Sequence, residues 1–120
     1  MKQKILIIED NEQNMYMLTY LLESNNYEVF KSFSGQEGIA LAKKVLPDAI
    51  LLDIQLPEMD GYTVAREIRK IDRLAVTPII AVTSYAMTGD KEKAFEAGAT
   101  GYIEKPIDPD TFISQMEVYL

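Results

Sequence analysis

The chain has 120 residues, of which 48% are apolar and 26% are charged, and its net charge is −7 at pH 7. This composition is typical of a globular protein, and the length suits a single domain spanning residues 1–120. An acidic balance without a basic stripe argues against direct nucleic-acid binding. No apolar run suits a membrane span or a signal peptide, so we expect a cytoplasmic protein that does not bind membranes. Without cysteine or histidine, the chain has no disulfides, thiolate chemistry or imidazole metal ligands.

Short apolar runs alternate five times with longer segments that have apolar residues at helical spacing. The expected strands are residues 5–8, 27–33, 49–53, 78–82 and 100–103. The expected helices are residues 12–24, 35–46, 62–70, 88–97 and 109–120. No linker, low-complexity tract or internal repeat interrupts this alternation. The pattern predicts one α/β domain with a parallel sheet and helices on both faces.

Several helix ends carry capping residues. Ser34, with Glu37 three residues later, has the pattern of a capping box at the start of the second helix. Gly98 suits a left-handed cap at the end of the fourth helix. Asp108 followed by Pro109 predicts the start of the fifth helix, with proline at the first helical position.

Acidic residues stand at the ends of two predicted strands. Glu9 and Asp10 follow the first strand, and Asp53 ends the third. Because the ligand crevice of an open α/β sheet lies outside the carboxyl ends of its strands, we expect these carboxylates to meet there. Like charges so close together repel one another unless a cation lies among them. The fourth strand leads into Thr83 and the fifth into Lys105, which add a hydroxyl and an ammonium group.

These groups suit phosphoryl chemistry with a metal ion. Mg²⁺ prefers oxygen ligands, and Asp10 and Asp53 are the best candidates to bind it directly. A carboxylate can also attack a phosphoryl group and form an acyl phosphate when cations offset the charge. Asp53 is the best nucleophile, with Lys105 as the cation and Thr83 as a hydrogen-bond donor. Taken singly, each residue is more often a turn former, a surface charge or an ordinary strand residue, so only their joint placement indicates a site.

The ordered set of these motifs resembles the receiver domain of two-component response regulators, and the resemblance covers essentially the whole chain. The residues that carry it are Glu9-Asp10, Leu52-Asp53 with Pro57 and Gly61 behind them, Val82-Thr83-Ser84, and Lys105-Pro106. The resemblance implies a flavodoxin-like (CheY-like), doubly wound α/β fold. Its five-stranded parallel sheet would have the order 2-1-3-4-5, with five helices. The Lys105-Pro106 peptide bond is expected to be cis, as in that family.

The resemblance also implies how the site is used. Asp53 would accept a phosphoryl group from a sensor histidine kinase or a histidine phosphotransfer protein. Asp10, Asp53 and the backbone carbonyl of Gln55 would ligate Mg²⁺, and Glu9 would act mainly through a water. Lys105 would contact the phosphoryl group.

Thr83 would contact the phosphoryl group too, and would move toward it while Tyr102 turns inward. The surface of helix four, strand five and helix five would then change shape and bind a downstream protein. The protein would be a signalling switch rather than an enzyme, since it would catalyse only its own Mg²⁺-dependent phosphoryl transfer and dephosphorylation. It would be a monomer or a phosphorylation-dependent dimer.

Other positions bear on rates and partners. Ser84 is small and leaves a path to the phosphoryl group, whereas the bulk of Tyr85 is expected to slow attack by water. Asn14 and Met17 are expected to flank the site and touch the phosphodonor. Tyr119, with Tyr85 and Tyr102, is expected nearer the output face.

The sequences at residues 9–14, 53–58 and 86–90 resemble more narrowly those of DivK-like single-domain regulators, which favours a receiver that stands alone. The alternative is a receiver domain cut from a hybrid histidine kinase or a multidomain response regulator. A Mg²⁺-dependent phosphatase of small phosphate esters would use the same nucleophile, but it would need a second acid where Ile54 and Gln55 follow Asp53. A purely structural interaction module is disfavoured by the intact set of site residues.

Overall fold

The computed structural model describes residues 2–84 and 89–120, and its strands form one parallel sheet. The strands are β1 (Lys4–Ile8), β2 (Glu28–Ser32), β3 (Ala49–Asp53), β4 (Ile79–Thr83) and β5 (Gly101–Glu104). They lie in the order β2-β1-β3-β4-β5, and every neighbouring pair is parallel. The strand order implied by the resemblance to receiver domains is confirmed.

In the part of the chain that the structure describes, four helices connect the strands, and a fifth follows β5. They are α1 (Glu12–Ser24), α2 (Gly35–Val45), α3 (Gly61–Arg69), α4 (Asp90–Ala97) and α5 (Phe112–Glu117). The sequence pattern did not predict the short 3₁₀ turn at Asp72–Leu74, which precedes β4. Within the described ranges, no helix has both the length and the apolar character needed to cross a membrane.

Two core clusters lie on opposite faces of the sheet. Ile5 and Ile7 of β1 belong to the cluster formed with α1 and α5, whereas Leu6 and Ile8 belong to the cluster formed with α2 and α3. This division follows from the alternation of side chains along a strand. Both faces are therefore buried, which explains why β1 appears in the sequence as a continuous apolar run.

Side-chain caps begin three of the helices. Asn11, Ser34 and Asp60 each accept a hydrogen bond from a backbone N–H in the first turn of α1, α2 and α3 respectively. Ser34 also donates to the Glu37 carboxylate at 3.2 Å. Gly98 ends α4 with φ of 116°, so the predicted left-handed cap is confirmed.

The predicted start of the fifth helix is wrong. The side chain of Asp108 accepts from Asp110 N–H at 2.9 Å, and its carbonyl accepts from Thr111 and Phe112 N–H. These bonds close a turn first, and α5 begins only at Phe112. The local signal for a helix start was real, but it marks the turn that leads into the helix. The predicted start of the fourth helix, at residue 88, lies outside the described residues.

A side-chain hydrogen bond links α5 to the segment just before the edge strand β2. Tyr27, just before β2, donates from its hydroxyl to Glu117 Oε2 of α5 at 2.5 Å. Burial, reinforced by the nearby Glu117 carboxylate, raises the pKa of Tyr27 to about 12.

Candidate functional site

The carboxyl ends of the central strands lie side by side. In the sheet register, Ile8 of β1 pairs with Leu52 of β3, and Asp53 pairs with Val82 of β4. Glu9, the first residue after β1, and Asp53, the last residue of β3, therefore lie at the same end of the sheet. Thr83 ends β4 at this end too.

Three of the predicted site residues are almost fully buried at this end of the sheet. Glu9 is 1% exposed, Asp53 is 3% exposed and Thr83 is 2% exposed, whereas Asp10 lies at the surface. Buried carboxylates are costly unless they are paired, protonated or bound to a cation. The burial of Glu9 and Asp53 together distinguishes them from solvated surface acids.

The three acids form a compact cluster of oxygen donors. Glu9, Asp10 and Asp53 each offer a carboxylate oxygen, and these oxygens lie within 4.8 Å of one another. Oxygen donors at this spacing suit a hard divalent cation, which would also relieve their mutual repulsion. The sequence-based expectation that these carboxylates meet is confirmed.

Lys105, the first residue after β5, supplies positive charge to the acidic cluster. Its Nζ lies 2.9 Å from Glu9 Oε1 and 3.5 Å from Asp53 Oδ2. Its backbone N–H donates to the carbonyl of Thr83 at 2.7 Å, which ties the exit of β5 to that of β4. The Lys105-Pro106 peptide bond is cis, as predicted. Lys105 Nζ thus pairs with two of the three carboxylates, and its single positive charge does not balance three ionised carboxylates.

The surroundings of Glu9 shift the pKa of its carboxyl group. Burial is the largest influence and raises the pKa of Glu9 above its usual range. The ammonium of Lys105 and the N–H of Asn11, which donates to Glu9 Oε2 at 3.1 Å, act in the opposite direction. The nearby Asp53 adds to the upward shift. A second cation in the site would favour the ionised form of Glu9.

Asp53 is held by the loop that follows it. Its Oδ1 accepts from the backbone N–H of Gln55 at 2.9 Å. The same loop folds back tightly, since Gly61 N–H donates to the carbonyl of Ile54 at 2.9 Å. A Cβ at position 61 would lie 2.5 Å from Ile54 Cα and 2.7 Å from the Asp53 carbonyl oxygen. Only glycine lets α3 start this close to the end of β3.

One contact in the site was not anticipated. The hydroxyl of Ser84 donates to Gln55 Oε1 at 2.8 Å. Sequence reasoning treated Ser84 only as a small residue that leaves a path open. No sequence signal indicates this pair, because its formation depends on how two loops meet.

Tyr102 of β5 packs toward α4. It is half-buried against the small cluster of Ile54, Ala81 and Ala94, and Lys91 Nζ lies 6.0 Å from the centre of its ring. Burial, followed by nearby acidic residues, raises the pKa of the Tyr102 hydroxyl. The residue predicted to act as a switch therefore links β5 to α4 through both packing and charge.

The expected partner-facing residues are distributed over two regions. Asn14 and Met17 are half-buried on α1, where Met17 packs against the core cluster. Tyr119, two residues beyond the end of α5, packs over Gly101 of β5. Their contacts with partners remain predictions, and Tyr85 lies outside the described residues.

Comparison with known proteins agrees with this geometry. Residues 5–117 match the family described as response regulator receiver domain. The polar-differentiation response regulators DivK of Brucella anthropi and Brucella ovis are each 42% identical over 120 residues, which is 100% of this chain and 98% of theirs.

Solved structures give the same result. The chemotaxis protein CheY4 of Vibrio cholerae has a TM-score of 0.96 at 28% identity, with 100% of both chains covered. The receiver domain of the sensor histidine kinase PA1611 from Pseudomonas aeruginosa has a TM-score of 0.91 at 34% identity, covering 99% of this chain and 98% of that one. That structure is described as having a magnesium ion coordinated in its active site cleft. Because its sequence matches over nearly the whole chain and its fold is the same as in the solved structures, this protein belongs to the response regulator receiver family of two-component signalling.

Proposed function

We propose that Asp53 accepts a phosphoryl group from the phosphohistidine of a sensor histidine kinase or a histidine phosphotransfer protein. A carboxylate oxygen of Asp53 attacks phosphorus, a P–O bond forms, and the P–N bond to the donor histidine breaks. The leaving imidazole keeps the bonding electron pair, and the product is an acyl phosphate. The observation that carries this proposal is the buried Asp53 carboxylate 3.5 Å from the Lys105 ammonium, within the acidic cluster.

The acidic cluster is the proposed Mg²⁺ site. Asp10, Asp53 and the backbone carbonyl of Gln55 would hold the ion, with Glu9 acting through a water. Bound Mg²⁺ would offset the negative charge of the phosphoryl oxygens. The proposal is supported by the close carboxylate oxygens and by the magnesium-bound receiver domain of PA1611, which is 34% identical.

Lys105 and Thr83 would stabilise the phosphoryl group on Asp53. Lys105 Nζ already lies within 4 Å of both Glu9 and Asp53 oxygens, so it can exchange a carboxylate for a phosphoryl oxygen over a short distance. Thr83 is buried at the adjacent strand end and would donate from its hydroxyl. The Lys105 ammonium and the Thr83 hydroxyl would thus both donate hydrogen bonds to the new dianion.

The phosphoryl group would then bias a two-state switch. Thr83 and Tyr102 would shift, and the face formed by α4, β5 and α5 would change its affinity for a downstream protein. In this role the protein acts in the cytoplasm, catalyses only its own phosphoryl transfer and dephosphorylation, and is a monomer or a phosphorylation-dependent dimer. The alignment to DivK regulators over 98% of their length supports the proposal that residues 1–120 act as a single-domain regulator.

The intact mass of the protein after incubation with acetyl phosphate tests the proposal. Wild type is expected to gain one phosphoryl group only with Mg²⁺ present, and Asp53→Asn is expected to gain none. Asp60→Asn is the matched control, because Asp60 caps α3 outside the acidic cluster and asparagine caps equally well. An adduct on Asp53→Asn, or none on wild type even with a panel of purified histidine kinases, would overturn the assignment.

A further inference from the structure

The two loops that frame Asp53 are joined beyond the end of the sheet. The β3–β4 ladder ends with Asp53 paired to Val82, followed by a hydrogen bond from Ile54 N–H to the Val82 carbonyl at 3.2 Å. Past this point β3 leaves the sheet, and β4 ends at Thr83, which still pairs with Glu104 of β5. The hydrogen bond from Ser84 Oγ to Gln55 Oε1, at 2.8 Å, then bridges the two loops.

Gln55 is held from two sides by this arrangement. Its backbone N–H donates to Asp53 Oδ1 at 2.9 Å, and its side chain accepts from Ser84 at 2.8 Å. Gln55 itself is half-buried, whereas Ser84 is at the surface. A side-chain anchor limits the backbone rotation of a loop residue, because φ and ψ changes would swing the Gln55 amide away from Ser84.

We infer that Ser84 is a positioning residue for the phosphoacceptor site. By anchoring the Gln55 side chain, it keeps the Gln55 N–H on Asp53 and keeps the Gln55 carbonyl available to the divalent cation. This inference rests on the proposed function. It assigns Ser84 a task that its small size alone does not require, since alanine would be as small but could not donate.

The expected effect is modest, because one solvent-accessible hydrogen bond is involved. Ser84→Ala should weaken Mg²⁺ binding and slow phosphorylation by roughly threefold to tenfold, the range expected for losing one neutral hydrogen bond. Ser84→Thr keeps the hydroxyl and should restore both properties. If the role of Ser84 were only to leave space, Ser84→Ala would behave as wild type and Ser84→Thr would be the slower variant.

A double-mutant cycle tests the coupling. Gln55→Leu removes the side-chain acceptor but keeps the backbone N–H and carbonyl. Mg²⁺ affinity is measured by titration calorimetry on unphosphorylated wild type, Ser84→Ala, Gln55→Leu and the double variant, alongside thermal stability. We expect each single variant to bind Mg²⁺ more weakly than wild type, and the double variant to bind no more weakly than either single variant.

Two results would overturn the inference. Unchanged Mg²⁺ affinity in Ser84→Ala would remove its basis, and so would additive losses in the double variant. Because the affinity is measured without a phosphodonor, these results are separate from the test of the proposed function. Absence of an adduct on wild type would refute phosphorylation of Asp53, whereas a normal adduct with no coupling between Ser84 and Gln55 would refute only the positioning role.

Discussion

Replacing Arg69 with methionine removes a guanidinium that ties α3 to the segment before β4 and to the segment between α4 and β5. Arg69 Nε donates to the carbonyl of Gly98 at 2.9 Å, and Nη1 donates to those of Leu74 at 2.8 Å and Thr77 at 2.6 Å. Nη2 donates to Thr100 Oγ1 at 3.1 Å. These acceptors lie at the end of α4 and just before β4 and β5, at the opposite end of the sheet from Asp53.

The expected loss of stability follows from these bonds. Each hydrogen bond contributes about 1 kcal/mol net, and somewhat more from a charged donor. The bonds share one group and the guanidinium is partly accessible, so their contributions are not fully additive. We expect Arg69→Met to lower the free energy of unfolding by about 3 kcal/mol. Methionine keeps an unbranched side chain over Gly98, so little packing is lost.

Urea unfolding, followed by circular dichroism, measures this change. Arg66→Met is the matched control on the same helix, because Arg66 is exposed and makes one long hydrogen bond, 3.4 Å to Thr63. It should cost less than about 0.5 kcal/mol. The phosphoryl adduct from acetyl phosphate should still form on Arg69→Met under native conditions. If Arg69→Met cost no more than Arg66→Met, the idea that Arg69 ties these segments together would be wrong.

Two further changes test the edge of the sheet and the loop behind the site. Tyr27→Phe should cost about 1 kcal/mol at pH 7. Because folding raises the pKa of Tyr27 from 10 to about 12, wild type should also lose stability as the pH rises from 10 toward 12. This loss should be smaller in Tyr27→Phe, whereas the control Tyr16→Phe should show the same loss as wild type. Gly61→Ala should cost about 2 kcal/mol, from overlap with the backbone, and should slow adduct formation. The control is Gly89→Ala, because a Cβ at Gly89 meets nothing within 4 Å. This variant should lose only the stability that corresponds to the strain of its positive φ, and its rate of adduct formation should stay closer to that of wild type. Equal rates of adduct formation in Gly61→Ala and Gly89→Ala would contradict the role of Gly61.

The sheet and the acidic cluster could be predicted because both depend on short stretches of sequence. The strand at residues 5–8 is a continuous apolar run because both faces of the sheet are covered. The placement of Glu9 and Asp53 follows from the rule that parallel strands end at one edge. The first helix was predicted with its observed bounds, Glu12–Ser24.

The remaining features depend on contacts between distant residues. Nothing near Arg69 in the sequence indicates that it meets Gly98 and Thr100. The bond between Ser84 and Gln55 forms only because two loops converge. The late start of α5 was missed because Asp108 can close a turn or cap a helix with the same side chain. Local patterns do not distinguish these outcomes, and tertiary packing decides between them.

The pairing of Lys105 with Glu9 joins residues separated by 96 positions along the chain. During synthesis on the ribosome, the buried acids Glu9 and Asp53 are made long before Lys105 leaves the exit tunnel. A nascent chain that lacks β5 therefore carries the acidic cluster without its ammonium group, and mutual repulsion opposes early closure of that end of the sheet. Arrival of the last strand supplies the missing counter-charge.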